Sequence, residues 1–212
     1  MICSPPDGNS PNGYPSDCEV TEGLRKMARE NNSKPQIEAA VLARARQIKL
    51  LLLDVDGVLT DGTLIFSHQG EESKGFNTQD GFGIRLLQEA GLEVGVITAR
   101  KSEAVTKRGQ NLKMRYVYQG ESNKLKAYDD IVKTSGLKPF EIAYMGDDWL
   151  DLILLKRVGL AAAPANAVAE VKDISHYVTE KSGGNGAVRE LCDLILNSKG
   201  LLSKFLQSYM SR

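Results

Sequence analysis

The sequence has few cysteines and no excess of charge of either sign. Its 212 residues include three cysteines, Cys3, Cys18 and Cys192, and none of them forms a Cys-x-x-C pair. This excludes a disulfide framework and a cysteine zinc site. Lys plus Arg and Asp plus Glu both number 27, so the formal net charge is zero. The chain therefore lacks the charge typical of nucleic-acid or anionic-membrane binding, and any anion site must be local.

Long apolar runs are missing too. No run approaches the ~20 residues of a transmembrane helix, and the first residues lack the basic and apolar regions of a signal peptide. With so few cysteines, this predicts a cytoplasmic protein. Residues 1–35 are rich in Pro, Gly, Ser and Asn, which predicts a flexible extension. Residues 36–212 are predicted to form one globular domain.

The chain is organised around four consecutive leucines, residues 50–53, which are followed by Asp54 and Asp56. A continuous apolar run predicts a strand buried on both faces of a parallel sheet. Side chains alternate along a strand, so the two acids point the same way, and Gly57 allows a sharp turn after them. A hard cation such as Mg²⁺ would offset the repulsion between two such carboxylates. The alternative is an ordinary polar Asp-Gly turn.

Strand and helix patterns alternate over ~150 residues, which predicts an α/β fold with a doubly wound, Rossmann-like parallel sheet. A helix over Gln36–Gln47 precedes the leucines. A hairpin over Thr63–Phe76 follows them, and Asp80 is predicted to cap the next helix. The further predicted strands are Glu93–Ile97, Tyr116–Tyr118, Glu141–Met145, Val158–Ala163 and His176–Thr179.

Polar side chains follow four of these strands. Because the carboxyl ends of parallel strands meet at one edge of a sheet, we expect these side chains to converge. Carboxylates, a hydroxyl and an ammonium group together suit a metal and a phosphoryl group. The residues are Asp54, Asp56, Thr98, Arg100, Lys124, Asp147 and Asp148.

In order and spacing these motifs resemble the haloacid-dehalogenase superfamily of phosphotransferases. The resemblance implies that Asp54 is the nucleophile and forms an aspartyl-phosphate, and that Asp56 is the general acid and base. It implies that Thr98 and Lys124 bind phosphoryl oxygens. It also implies that Mg²⁺ is held by Asp54, the backbone carbonyl of Asp56, and Asp147, with support from Asp148.

Only a hairpin and one helix with a strand lie where larger members of the superfamily carry a cap. The chain is thus similar to capless phosphatases of acid sugar phosphates. This resemblance implies 3-deoxy-D-manno-octulosonate 8-phosphate as substrate, in lipopolysaccharide sugar synthesis, and a homotetramer in which a neighbouring subunit closes the active site. Gln79 stands where the pattern commonly has Arg, so a nonulosonate 9-phosphate is an alternative substrate. The predicted substrate-binding residues are Gly57, Asn77, Gln79, Arg100 and Arg189.

Two rival functions come from other classes. A phosphorelay receiver gathers similar residues, but its acidic pair lies on the first strand and its phosphorylated Asp on a later one. Here Asp-x-Asp comes first and the double Asp comes last, which favours a phosphatase. The other rival is a catalytically silent assembly domain. Near the end, the three glycines of residues 183–186 predict a backbone that bends or approaches another group closely. We expect this loop to bring Arg189 or its own backbone amides near the acid sugar, in an adjacent subunit, and the alternative is a flexible connector to the last helices.

Overall fold

The computed structural model describes residues 37–211, and the predicted extension over residues 1–35 lies outside this range. The elements of the domain follow one another in the predicted alternating order. The strands are β1 (Leu50–Leu53), β2 (Ile65–Phe66), β3 (Glu72–Ser73), β4 (Glu93–Thr98), β5 (Tyr116–Gln119), β6 (Ile142–Met145), β7 (Leu160–Ala163) and β8 (Tyr177–Val178). The helices are α1 (Ala39–Gln47), α2 (Thr78–Glu89), α3 (Glu103–Asn111), α4 (Lys124–Ser135), α5 (Leu152–Leu155), α6 (Ala169–Ile174), α7 (Ala187–Ser198) and α8 (Leu202–Met210).

The six-stranded parallel sheet has the order β5-β4-β1-β6-β7-β8, which confirms the predicted fold class. The chain runs from β1 outward to β5, then returns to the other side of β1 and continues outward to β8. Strand order therefore reverses beside β1. In an open α/β sheet such a switch point, at the carboxyl ends of the strands, is where ligands bind.

Helices cover both faces of the sheet, which explains the apolar composition of β1. Helices α1, α2 and α7 pack together on one face. On the other face, α4, α5 and α6 pack over Leu50 and Leu52. All four leucines of β1 are completely buried, as a strand covered on both faces requires.

The hairpin of β2 and β3 is antiparallel and separate from the main sheet. No larger insertion lies between β1 and α2 or between β4 and α4, so within residues 37–211 the domain has no cap. Two local predictions need correction. Helix α1 begins at Ala39 rather than Gln36, and α2 is capped by Asn77, whose Oδ1 accepts from the N–H groups of Gln79 and Asp80.

No helix within residues 37–211 is long and apolar enough to cross a membrane. The cytoplasmic location stays a prediction. Cys192, the one cysteine inside the described range, is a buried residue of α7, as its apolar sequence context indicates.

Candidate active site

Asp54 lies directly after β1, at the switch point of the sheet, and it is buried. Its backbone N–H donates to the carbonyl of Met145 at 3.0 Å, which extends the pairing of β1 with β6 by one residue. Its Oδ1 lies 2.8 Å from the Nζ of Lys124, the first residue of α4. The cap of α4 is Asn123, whose side chain accepts from the N–H of Leu125. Two predicted residues from distant parts of the chain thus form a buried ion pair.

Asp151 connects this pair to β6. Its Oδ1 accepts from Lys124 Nζ at 2.6 Å and from the hydroxyl of Tyr144 at 2.5 Å. Its Oδ2 accepts from the backbone N–H groups of Asp147 at 2.9 Å and of Asp148 at 3.3 Å. Both oxygens of Asp151 are therefore satisfied, and the side chain is almost completely buried. Asp151 is not among the residues that the motifs predict for the site.

Asp54, Asp147 and Asp151 form what we call the acidic cluster. Each offers a carboxylate oxygen, and these oxygens lie within 4.8 Å of one another. Oxygen ligands at this spacing suit a hard divalent cation. Gly57 has φ +87°, and a Cβ at this position would overlap the carboxylate of Asp147. The glycine therefore allows Asp147 to approach the turn that follows β1.

The acidic cluster carries more negative charge than its one lysine offsets. Burial and the charge of Asp151 raise the pKa of Asp54 from 3.8 to about 6, although Lys124 opposes the shift. Burial and the charges of Asp54 and Asp151 raise the pKa of Asp147 to about 7. Burial alone would lower the pKa of Lys124, but Asp54 and Asp151 raise it above its usual range. A bound cation would offset this repulsion, so the donor set fits a metal.

Asp148, the other acid predicted to support the metal, does not join the acidic cluster. It is exposed, and its Oδ1 accepts from the N–H of Trp149 at 2.7 Å. It thereby caps the 3₁₀ turn Trp149–Asp151. Asp151, at the end of that turn, takes the inward position instead. The sequence signal for this was a third acid, three residues after Asp148.

Asp56 faces the hairpin and belongs to a closed set of four alternating charges, which we call the ionic ring. Its Oδ1 pairs with Lys74, and its Oδ2 lies 3.7 Å from Arg100 Nε. Glu72 completes the ring, with Oε1 2.8 Å from Lys74 Nζ and Oε2 2.5 Å from Arg100 Nη2. Asp56 and Arg100 are residues that the motifs predict, whereas Lys74 and Glu72 are not.

Thr98 ends β4 and is buried. Its Oγ1 accepts from the backbone N–H of Arg100 at 3.4 Å. Because β4 pairs in parallel with β1, Thr98 lies at the same edge of the sheet as Asp54. This is where a hydroxyl for a phosphoryl group was predicted.

Residues 183–186, the glycine loop, pack against the turn that follows β1. A Cβ on Gly183 would overlap the carbonyl oxygen of Gly57, and one on Gly184 would overlap the backbone of Thr60 and Asp61. Asn166 joins the two segments, since it donates to the Gly57 carbonyl at 3.0 Å and accepts from the Gly183 N–H at 2.6 Å. The glycines therefore allow a close approach between two backbone segments of the same chain, and the predicted approach of this loop to the sugar stays a prediction.

Two of the predicted substrate-binding residues have other contacts in the described chain. The Nε of Arg189 donates to Asp193 at 2.8 Å, and its guanidinium lies 5.4 Å from the ring centre of Phe82. Asn77, besides capping α2, donates to the carbonyl of Gly184 at 3.2 Å. Gln79 is exposed in the first turn of α2. None of these three joins the acidic cluster, and their contact with substrate stays a prediction.

A cleft of about 450 Å³ lies between the base of the hairpin, the start of α2 and the glycine loop. Its lining is mixed, with hydroxyl, amide and carboxylate groups beside two apolar side chains. The lining residues are Asp61, Thr63, Ile65, Gly75, Phe76, Asn77, Thr78, Gly184 and Asn185.

Comparison with known proteins gives a consistent picture. Residues 116–191 match the family model described as haloacid dehalogenase-like hydrolase. The chain is 44% identical over 168 residues to the 3-deoxy-D-manno-octulosonate 8-phosphate phosphatase KdsC of Escherichia coli K12. That alignment covers 79% of this chain and 89% of the relative.

Solved structures similar to this chain include enzymes of the same name as the sequence relatives. The 3-deoxy-D-manno-octulosonate 8-phosphate phosphatase of Yersinia pestis has a TM-score of 0.77 and 43% identity, and the match covers 78% of this chain and 89% of that one. The enzyme of the same name from Moraxella catarrhalis, solved with magnesium, phosphate and KDO, has a TM-score of 0.78 and 37% identity. That match covers 80% of this chain and 97% of the other.

Proposed function

Because this chain belongs to the haloacid dehalogenase-like hydrolase family, we propose that it is an Mg²⁺-dependent phosphatase of 3-deoxy-D-manno-octulosonate 8-phosphate. It is a phosphoric monoester hydrolase, as its relatives are. The observation that carries the proposal is the acidic cluster with Lys124, buried at the carboxyl end of β1. A catalytically silent assembly domain would have no need for so many buried charges, which are costly unless they are paired.

In the first step, the carboxylate of Asp54 attacks phosphorus, and the bond to the sugar oxygen breaks. The result is an aspartyl-phosphate and a free sugar hydroxyl, to which Asp56 supplies the proton. Lys124 and Thr98 are the groups available to bind the phosphoryl oxygens. A buried ammonium and hydroxyl that are already in place stabilise the developing charge without reorganisation.

In the second step, Asp56 takes a proton from water, and the water attacks the phosphorus of the intermediate. Phosphate leaves and the Asp54 carboxylate is restored. Splitting the transfer into two displacements lowers each barrier, and one residue can serve as acid and then as base. Asp54 and Asp147 would hold Mg²⁺, which supplies positive charge for the carboxylates and the phosphoryl group. Asp151, whose oxygens already accept four hydrogen bonds, would contribute its negative charge beside them. The finding that magnesium and phosphate are present in the Moraxella catarrhalis relative supports this assignment.

The sugar is proposed to occupy the cleft beside the glycine loop, whose hydroxyl and amide groups suit a polyhydroxylated chain. Gln79 cannot grip a carboxylate in the bidentate way that Arg can. A nonulosonate 9-phosphate therefore stays the second candidate substrate.

The chain is further proposed to assemble as a homotetramer through its hairpin. Leu64, Ile65 and Phe66 are each about half exposed, and exposed apolar patches often mark interfaces. A site without a cap would gain water exclusion and recognition surface from a neighbouring subunit. Light scattering should give four chains per particle, and a Phe66→Ser variant should dissociate. A fully active monomer at nanomolar concentration would exclude the assembly.

The proposed function is tested by measuring phosphate release from a panel of sugar phosphates that includes both candidate substrates. We expect the highest kcat/KM with 3-deoxy-D-manno-octulosonate 8-phosphate, no turnover after chelation of divalent cations, and recovery on addition of Mg²⁺. Asp54→Asn is the control, because an amide is a poor nucleophile. If this variant keeps more than a few per cent of wild-type activity, the covalent mechanism is wrong.

A further inference from the structure

The hairpin residue Lys74 is positively charged and has no role in the proposed reaction as described above. Its side chain is only 1% exposed, which is rare for a lysine and costly unless the charge is paired. Its partners are Asp56 Oδ1 and Glu72 Oε1. Glu72 belongs to the hairpin as well, so the contact with Asp56 is what joins the hairpin to the turn after β1.

The two oxygens of Asp56 are treated differently by this arrangement. Oδ1 accepts from Lys74. Oδ2 is buried, has no hydrogen-bond donor among residues 37–211, and lies 3.7 Å from Arg100 Nε. One oxygen is therefore fixed by a buried ammonium, while the other keeps its hydrogen-bonding capacity unused within residues 37–211.

We infer that Lys74 is a positioning residue: by holding Oδ1, it aims Oδ2 of Asp56 at the leaving oxygen. This inference rests on the proposed function, in which Asp56 is the general acid. The geometric requirement is strict, since proton transfer needs hydrogen-bond distance and small displacements slow catalysis greatly. The hairpin thus contributes to the chemistry of its own chain, separately from any part in assembly.

Glu72 restrains Lys74 further, in addition to the pairing of Lys74 with Asp56. It pairs with Lys74 through one oxygen and with Arg100 through the other, and these two cationic partners lower its pKa. Lys74 is thereby held between two carboxylates and cannot follow Asp56 if that side chain rotates. A rigid neighbour is what a positioning role requires.

The test compares two substrates that differ in leaving group but little in shape. p-Nitrophenolate leaves without protonation, whereas phenolate is a stronger base and depends more on a general acid. We expect Lys74→Met to lower kcat/KM for phenyl phosphate roughly tenfold more than for p-nitrophenyl phosphate. Lys74→Arg keeps the charge and should retain the wild-type ratio of the two rates. Lys49→Met, which removes an exposed lysine paired with Glu141, should change neither rate.

A double-mutant cycle separates positioning from a structural role. In the Asp56→Asn background there is no acid to aim, so adding Lys74→Met should cause no further change in either rate. Equal losses on both substrates, or a second loss in the Asn background, would overturn the role of Lys74 while leaving the phosphatase proposal intact. If Asp56→Asn itself slowed both substrates equally, the general-acid mechanism would fail, and the role of Lys74 with it. Cooperative unfolding of each variant confirms that the comparison concerns folded protein.

Discussion

Replacing Asp151 by Asn is expected to destabilise the protein far more than the small chemical change suggests. Each oxygen of Asp151 accepts two hydrogen bonds, Oδ1 from the side chains of Lys124 and Tyr144, and Oδ2 from two backbone N–H groups. An amide has one NH₂ group, which donates but does not accept. Whichever way the Asn side chain is oriented, its NH₂ faces two donors, which are either the buried Lys124 and Tyr144 or the part-buried N–H groups of Asp147 and Asp148.

The size of the effect follows from these contacts. A buried donor left without an acceptor costs about 1–3 kcal/mol. Lys124 also loses one of its two carboxylate partners, but Asp54 remains 2.8 Å away, so the loss should stay below the ~3–5 kcal/mol of a fully broken buried pair. We expect a total of about 3 kcal/mol. For a domain of this size that corresponds to a fall in Tm of roughly 6–12 °C.

Thermal and urea unfolding followed by circular dichroism would measure this change. Asp148→Asn is the matched control, because Asp148 is exposed and its side chain only caps the 3₁₀ turn that begins at Trp149. Asn caps helices as well as Asp does, so the control should differ from wild type by less than about 0.5 kcal/mol. If Asp151→Asn also stays within about 1 kcal/mol of wild type, the claim that four donors depend on this carboxylate is refuted.

Two further predictions concern Gly57 and the metal site. Gly57→Ala should lower kcat/KM at least roughly tenfold, because the Cβ of the alanine would displace the Asp147 carboxylate. Gly62→Ala is the control, since Gly62 also has a positive φ (+84°) but a Cβ there would meet only ordinary contacts. Steady-state kinetics should show a much smaller loss of kcat/KM for this control. Asp54 and Asp147 have pKa values raised from 3.8 to about 6 and about 7, so the folded state binds more protons than the unfolded state. Without divalent cations, the free energy of unfolding should therefore fall as pH rises from about 4 to 7. In thermal melts with saturating Mg²⁺, this dependence on pH should disappear. A stability that rises with pH in the chelated protein would contradict the raised pKa values of Asp54 and Asp147.

The central architecture could be predicted because it depends on local pattern. Residues 50–53 are uniformly apolar and form a completely buried strand, and a strand pattern of this kind requires layers on both sides. Asp54 and Lys124 lie close together because each follows a strand of the same parallel sheet. The order of the residues along the chain was sufficient to predict these positions, because residues that follow parallel strands lie at the same edge of the sheet.

The remaining parts of the site depend on geometry that the sequence pattern does not contain. Asp148 and Asp151 are only three residues apart in the sequence. The position at which the 3₁₀ turn begins determines which of the two side chains points inward. Lys74 lies on a hairpin whose direction is set by tertiary contacts, so nothing in its sequence context indicates that it reaches Asp56. Arg189 packs on α2 through Phe82, and this contact does not test its predicted role in substrate binding.

The contact between the glycine loop and the turn after β1 has a consequence for synthesis of the protein. Gly183 is translated long after Gly57, and Asn166, which joins the two, is separated from Gly57 by 109 residues. During translation the carboxylates and Lys124 therefore all emerge before the backbone that supports their turn. Contacts over such distances form late, because closing a long loop costs entropy before any contact repays it. A nascent chain would therefore acquire catalytic geometry only after residues 183–186 have left the ribosome and have packed against the turn.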